Sequence, residues 1–180
     1  MILKPQDILV LLKLVAIENE SWSYSRLAVS LGMSPAEVHA GVGRTLSAQL
    51  AILRDGQARP HSRNLEEFLI YGIRYVFVPD RGELTRGMPT GYAANPMAGH
   101  FAPSDEPPPV WPVADGAIRG YAFSPLYRSA PRAAHEDVRL YELLVVVDSL
   151  RSSSARERKL ASAKIQARLK HYAGIGTSQH

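Results

Sequence analysis

The sequence predicts a mainly α fold, with a helix-turn-helix near the N-terminus, an irregular middle segment and C-terminal helices. Apolar residues recur at helical spacing early in the chain and again after residue 136, whereas 10 of the 13 prolines fall within residues 79–132. Hydrophobic residues make up 46% of the 180 positions, which is enough for a sizeable core. The chain has no cysteine, so disulfide bonds are excluded.

The first helix is predicted from Pro5 to about Asn19. An apolar stripe follows its helical period and consists of Ile8, Leu11, Leu12 and Val15. Further apolar residues occupy the other faces. Such a helix is either buried on several sides or pairs with another subunit.

A helix-turn-helix is predicted within residues 24–50. The apolar residues at helical spacing are Leu27, Ala28 and Leu31 in its first helix, then Val38, Val42 and Leu46 in its second. Gly32 stands where the tight turn needs a positive φ. Ser34 offers an N-cap, and Pro35 suits the first helical position that follows it.

A hairpin is predicted next, because Asp55-Gly56 lies between short flanks in residues 51–60. The order helix, helix, helix, hairpin over about 60 residues is that of a winged helix-turn-helix, which can present a helix to the major groove of DNA.

These residues resemble the winged helix family of bacterial transcription regulators, and within it the MarR-like group. The matching pattern covers about a third of the chain and comprises Leu27-Ala28, Leu31-Gly32-Met33-Ser34, Val38, Val42 and Leu46. Gly41 and Gly43, inside the third helix, depart from it, so the subfamily stays open. The resemblance implies a homodimeric, sequence-specific regulator that binds double-stranded DNA.

The third helix is the candidate recognition helix. Its outward residues are expected to be Ser34, Ala36, Glu37, His39, Ala40, Gly43 and Arg44. Ser34 and the amides at the helix start would hold a phosphate, Arg44 a guanine edge or a phosphate, and His39 a base or the backbone. Glu37 would repel phosphate, so it either faces a cytosine or points away.

Further arginines flank this motif. Arg26 lies where the second helix would cross the DNA backbone. Arg54, Arg59 and Arg63 flank the hairpin, where they either contact DNA or belong to a solvated surface.

Charge is unevenly distributed along the chain. Residues 24–63 carry a net +3, residues 64–150 carry −4, and residues 151–180 carry +6. The basic tail either extends a DNA-binding surface or forms a solvated amphipathic helix. Any DNA contact is therefore expected near the N-terminal motif and possibly the tail.

The chain is divided into three predicted segments: a DNA-binding domain over 1–62, a helix plus an ordered but irregular segment over 63–135, and C-terminal helices over 136–180 that offer a dimer contact. Asn64 is expected to cap a helix that runs to Val78, whose end is alternatively a strand.

Short strands are expected around Ala117 to Phe123 in the middle segment. Later helices are predicted over Glu136–Leu150 and Ala155–Tyr172.

Enzymatic function finds little support. The six histidines are scattered, and no nucleophile elbow, P-loop or dinucleotide-binding glycine pattern occurs, so no catalytic residue, metal or cofactor is expected. The opening residues lack a signal cleavage site, and no run approaches the roughly 18 apolar residues of a membrane span. A soluble, cytoplasmic protein without a membrane partner is expected.

Two other functions stay open. The acidic middle of the chain would suit a protein-interaction module, such as an antitoxin-like partner protein, that wraps a basic partner through residues 79–132. The same residues would alternatively bind a small effector, with Trp111 as a fluorescent reporter.

Overall fold

The computed structural model describes residues 1–152 and 154–177. Its helices are α1 (Pro5–Ile17), α2 (Tyr24–Leu31), α3 (Pro35–Ser47), α4 (Ser62–Glu67), α5 (Ile73–Val76), α6 (Ala130–Glu136), α7 (Val138–Leu150) and α8 (Ala155–Thr177). Its strands are β1 (Ala51–Arg54), β2 (Gln57–Pro60), β3 (Arg81–Pro89), β4 (Pro109–Pro112) and β5 (Ile118–Phe123). The fold is therefore mixed α and β, and the expectation of a mainly α chain is wrong.

The two helices predicted within residues 24–50, and the turn between them, are confirmed as α2 and α3. Gly32 ends α2 in the left-handed conformation at φ 63°. Ser34 caps α3, and Pro35 is its first residue. The side chain of Glu37 completes a reciprocal capping box by accepting a hydrogen bond from the Ser34 amide at 2.8 Å.

The predicted hairpin is also confirmed. Strands β1 and β2 pair antiparallel, with Arg54 opposite Gln57. Asp55 and Gly56 form the two-residue turn, with φ values of 51° and 76°. Positive φ at both positions matches the right-handed twist of the strands, which is why Asp-Gly is favoured there.

The segment after the hairpin differs from its prediction. His61, not Asn64, caps α4, because the His61 Nδ1 accepts the Asn64 amide at 3.2 Å. The Asn64 side chain donates instead to the Gln49 carbonyl at 2.8 Å. A π-helical turn over Phe68–Gly72 leads into α5, so the strand alternative is wrong.

A small closed barrel occupies most of the segment predicted to be irregular. Strand β3 pairs antiparallel with both β4 and β5, and β4 pairs parallel with β5. A side chain on Gly120 would collide with the Pro108 carbonyl, and one on Gly87 with that of Trp111, so these crossings need glycine. The strand expected near Phe123 is confirmed as β5, whereas β3 and β4 were not predicted.

Two nearly all-apolar helices form the centre of the core. Residues 8–12 of α1 are fully buried, and α7 is buried from Leu143 to Leu150. An ion pair of 2.7 Å between Lys13 and Asp137 ties α1 to the start of α7. The apolar faces that suggested a subunit contact are therefore covered by the chain itself.

Helix α8 packs over this core with the predicted stripe of Ala161, Ile165, Leu169 and Tyr172. It runs five residues beyond the predicted end at Tyr172, to Thr177. The helix predicted over 136–150 begins instead at Val138 as α7, with Asp137 as its N-cap. Glu136 is the last residue of α6. One cluster of buried apolar residues extends from Ile8 to Tyr172 and draws on all three predicted segments.

Within the described part of the chain, the helices are too short or too polar for any of them to cross a bilayer.

Candidate nucleic-acid interface

The exposed face of α3 is small and nearly uncharged. Ala36, His39 and Ala40 are exposed, as predicted, and Gly43 is half-exposed. The ring of His39 packs against Tyr24 of α2, with 4.9 Å between ring centroids. This face allows a flat surface to approach the helix closely.

Glu37 points toward its own protein rather than outward. The hydroxyl of Tyr127 donates to Glu37 Oε1 at 3.0 Å, and the Arg128 guanidinium lies 3.6 Å from the same oxygen. Hydrogen bonds from the backbone and side chain of Ser34 lower the pKa of Glu37, and the bond from Tyr127 adds to this. The carboxylate is therefore held ionised, with a cation beside it.

The start of α3 is less available to a phosphate than predicted. The Ser34 amide is bonded to Glu37, and the Ser34 hydroxyl accepts the Glu37 amide at 3.1 Å. The Ser34 amide, the Ser34 hydroxyl and the Glu37 amide are thus engaged within the capping box. A phosphate at this end would depend on neighbouring cations instead.

Arg44 lies inward, which corrects the expectation that it reads a base. Its Nε and Nη2 donate to the two carboxylate oxygens of Asp7, each at 2.7 Å. Asp7 is fully buried in α1, and the Arg44 side chain is only 12% exposed. Gly41 makes room for this pair, because a Cβ there would lie 3.0 Å from Asp7 Oδ1.

Of the two arginines in the hairpin, Arg59 also lies inward, whereas Arg54 is exposed. Arg59 Nη1 donates to the carbonyls of Glu18 and Glu20 at 3.1 and 3.2 Å, so its guanidinium supports the end of α1. Its expected contact with DNA does not fit this position. Arg54 is exposed beside Gly176 of α8, and Arg26 is exposed on α2.

Sequence reasoning missed Arg128. The residue is 78% exposed and stands at the N-terminus of α3, although it precedes α6. Its position depends on the bond between Tyr127 and Glu37, which are 90 residues apart in the chain. No local sequence pattern therefore predicts that Arg128 lies beside α3.

Arg128 therefore lies beside α3, and three more arginines of residues 24–63 are exposed: Arg26 on α2, Arg54 on β1 and Arg63 on α4. Comparison with known proteins gives no relative for this arrangement: no family model, no curated protein and no solved structure matches the chain.

Proposed function

We propose that this chain is a sequence-specific DNA-binding transcriptional regulator that acts as a homodimer through a winged helix-turn-helix. The observation that carries the proposal is the succession of α2, the left-handed Gly32, α3 and the two-residue hairpin. This order and these turn residues are the ones by which such a motif presents its second helix to a major groove.

The expected contacts are revised by the geometry. The methyl groups of Ala36 and Ala40 would face base edges, where apolar contact favours thymine, and His39 would donate to a base. Arg26 and Arg128 would contact phosphates on either side. Arg44 and Arg59 would position the motif from inside.

The test is enrichment of a binding sequence from random double-stranded DNA, followed by titration at several salt concentrations. Combined Arg26→Ala and Arg128→Ala substitutions should weaken binding to all sequences alike and reduce the salt slope by about 2. Arg119→Ala, which removes one exposed charge from β5, is the control outside the motif, and it should leave the salt slope unchanged. Failure to enrich any sequence at low salt refutes the proposal.

The homodimer is tested separately by light scattering of the purified chain. The expected mass is twice that of one chain, which is 19.8 kDa. The selected site should then be palindromic, with half-sites about 34 Å apart. A monomer at the concentrations used for DNA binding contradicts this part of the proposal.

A second candidate function is a protein-interaction module, such as an antitoxin-like partner. It is favoured by Val29 on α2 and Leu53 on β1, two exposed apolar side chains on the same motif. Stoichiometric co-purification of a partner from the native host, abolished by Leu53→Asp but not by Arg26→Ala, would favour this candidate. The opposite dependence in a DNA-binding assay would favour the first.

A further inference from the structure

A second basic region lies on other elements of the fold. An open cavity of about 490 Å³ is lined by Arg74 of α5, Arg81 of β3, Arg151 at the end of α7 and Arg158 of α8. Its wall is completed by Tyr75, Val78, Pro79 and Ser152. We call this cavity the arginine cleft. Among the described residues that line it, none is acidic.

Arg151 is fixed at the base of the arginine cleft. Its Nε donates to the Phe77 carbonyl at 2.8 Å, and its Nη1 lies 2.8 Å from Asp148 Oδ1. The other oxygen of Asp148 accepts bonds from Thr90 and Trp111 at 2.6 and 2.7 Å. A buried network thus sets the direction of this guanidinium.

Ring faces and a carbonyl also contact the other three guanidinium groups. Arg81 and Arg151 both lie over the ring of Phe123, at 5.3 and 5.5 Å from its centroid. Arg74 stacks on Tyr75 at 4.5 Å, and Arg158 Nη1 donates to the Ser152 carbonyl at 2.9 Å. Carbonyls and ring faces orient a cation without cancelling its charge.

The carboxylates near these arginines lie outside the lining of the cavity. Asp148 pairs with Arg151, and Glu157 interacts with Arg81 and Arg158. None of these carboxylates lines the cavity, so the described residues that line it carry a formal charge of +4. Holding like charges around one cavity costs free energy that a bound anion would offset.

We propose that the arginine cleft binds the polyphosphate group of a small ligand. Guanidinium forks match phosphate oxygens two at a time, and several converging arginines suit a group with more than one negative charge. The volume lies in the range of small-molecule sites. Tyr75, 68% exposed at the rim, offers an aromatic surface to the rest of such a ligand.

This site goes beyond the proposed function, because none of its residues belongs to the helix-turn-helix or the hairpin. Binding of a polyphosphate would stand even if the chain failed to bind DNA. If both hold, the arginine cleft is where a phosphorylated effector would act on the regulator.

The chain carries its own reporter of occupancy. The indole of Trp111 shares Asp148 with Arg151, so an anion beside Arg151 changes the field at that indole. Trp22, the second tryptophan, lies near the hairpin and bonds to the Ala58 carbonyl. A Trp22→Phe background therefore isolates the Trp111 fluorescence.

The test is calorimetric titration of the full chain with inorganic pyrophosphate, with fluorescence of the Trp22→Phe variant as a second readout. We expect saturable one-to-one binding. Arg74→Ala and Arg81→Ala should each weaken it about tenfold, since each removes a charged hydrogen-bond donor. Arg81→Lys, which keeps the charge but not the fork, should give an intermediate loss, and circular dichroism checks that each variant is folded.

Arg119→Ala is the control with the same change in net charge, and it should bind pyrophosphate like the parent chain. If a nucleoside diphosphate binds as tightly as pyrophosphate, the cleft recognises the phosphates alone. If it binds more tightly, the nucleoside also contacts the rim of the cleft. The proposal is overturned by absence of saturable binding at millimolar pyrophosphate, by an equal loss in Arg119→Ala, or by binding of single-stranded oligonucleotides alone.

Discussion

The region of α2, α3 and the hairpin and the arginine cleft are both rich in arginine, yet they differ in how much of it lines an open surface. Around α3, Arg44 and Arg59 turn inward to Asp7 and to the carbonyls that end α1. In the cleft, Arg151 is likewise paired with buried Asp148, but Arg74, Arg81 and Arg158 line an open cavity. The net charge of a segment therefore does not predict which of its arginines are exposed, because the partner of each guanidinium determines whether that side chain lies inward or faces solvent.

The largest expected effect tests whether Arg44 is structural. Arg44→Ala leaves the carboxylate of Asp7 buried without its cation, which should cost about 3–5 kcal/mol of unfolding free energy. Arg26→Ala, on an exposed arginine of α2, should change it by less than about 0.5 kcal/mol. Urea unfolding of both variants measures the difference. Equal stability of the two would mean that Arg44 is free for a ligand and that the contrast between the regions is wrong.

A smaller effect separates the two glycines of α3. Gly41→Ala places a Cβ 3.0 Å from Asp7 Oδ1 and should destabilise the fold by about 1–3 kcal/mol through displacement of the ion pair. Gly43→Ala meets nothing within 4 Å and should stabilise the helix by about 0.5–1 kcal/mol. Thermal unfolding of both variants provides the comparison. A similar sign for both would show that Asp7 and Arg44 shift without cost.

The pH dependence of stability should differ in sign between the two regions. The pKa of Glu37 is lowered by its hydrogen bonds, so its contribution is present above the ordinary value of 4.5 and is lost as the pH falls. Burial raises the pKa of Glu157 despite Ser152 and the nearby arginines, so its contribution is present below 4.5 and is lost as the pH rises. Urea titrations from pH 3 to pH 7 measure both.

The corresponding amide variants should show these slopes separately. Relative to the parent chain, Glu37→Gln should lose less stability on acidification, and Glu157→Gln should gain stability as the pH rises. Parallel pH profiles for the two variants would contradict the assignment.

The smallest effect concerns ligand affinity. Glu157→Gln removes one of the two carboxylates that oppose the cleft arginines, so it should tighten pyrophosphate binding severalfold at neutral pH. Glu142→Gln, which removes an exposed carboxylate of α7, should leave binding unchanged. Calorimetry measures both. Weaker binding in Glu157→Gln would place the anion away from Arg81 and Arg158.

Local signals predicted the N-terminal elements well. Ser34, Pro35, Gly32 and the Asp55-Gly56 pair act within a few residues of where they stand, and each occupies the position that its chemistry favours. His61 rather than Asn64 caps α4, and the side chain of Asn64 donates to the Gln49 carbonyl, a partner that chain spacing does not reveal.

Long-range pairing was not predictable in the same way. Strand β3 pairs with β4 and β5 across intervening residues that show no helical or alternating apolar period. The close approach of the strands depends on Gly87 and Gly120, and apolar patterning does not indicate it. The orientation of Arg44 depends on Asp7 from another helix, and the placement of Arg128 depends on Glu37. Sequence reasoning therefore identified the candidate helix but not which cations surround it.

The burial of α1 has a consequence for biosynthesis. This helix leaves the ribosome before α7, which packs on it and receives the Lys13 ion pair but is synthesised only after the barrel strands and α6. Until then its apolar faces lack their final cover, and exposed apolar surface of this kind is what chaperones bind. Nascent chains stalled before α7 should therefore remain associated with ribosome-bound chaperones, whereas chains released after α8 should not.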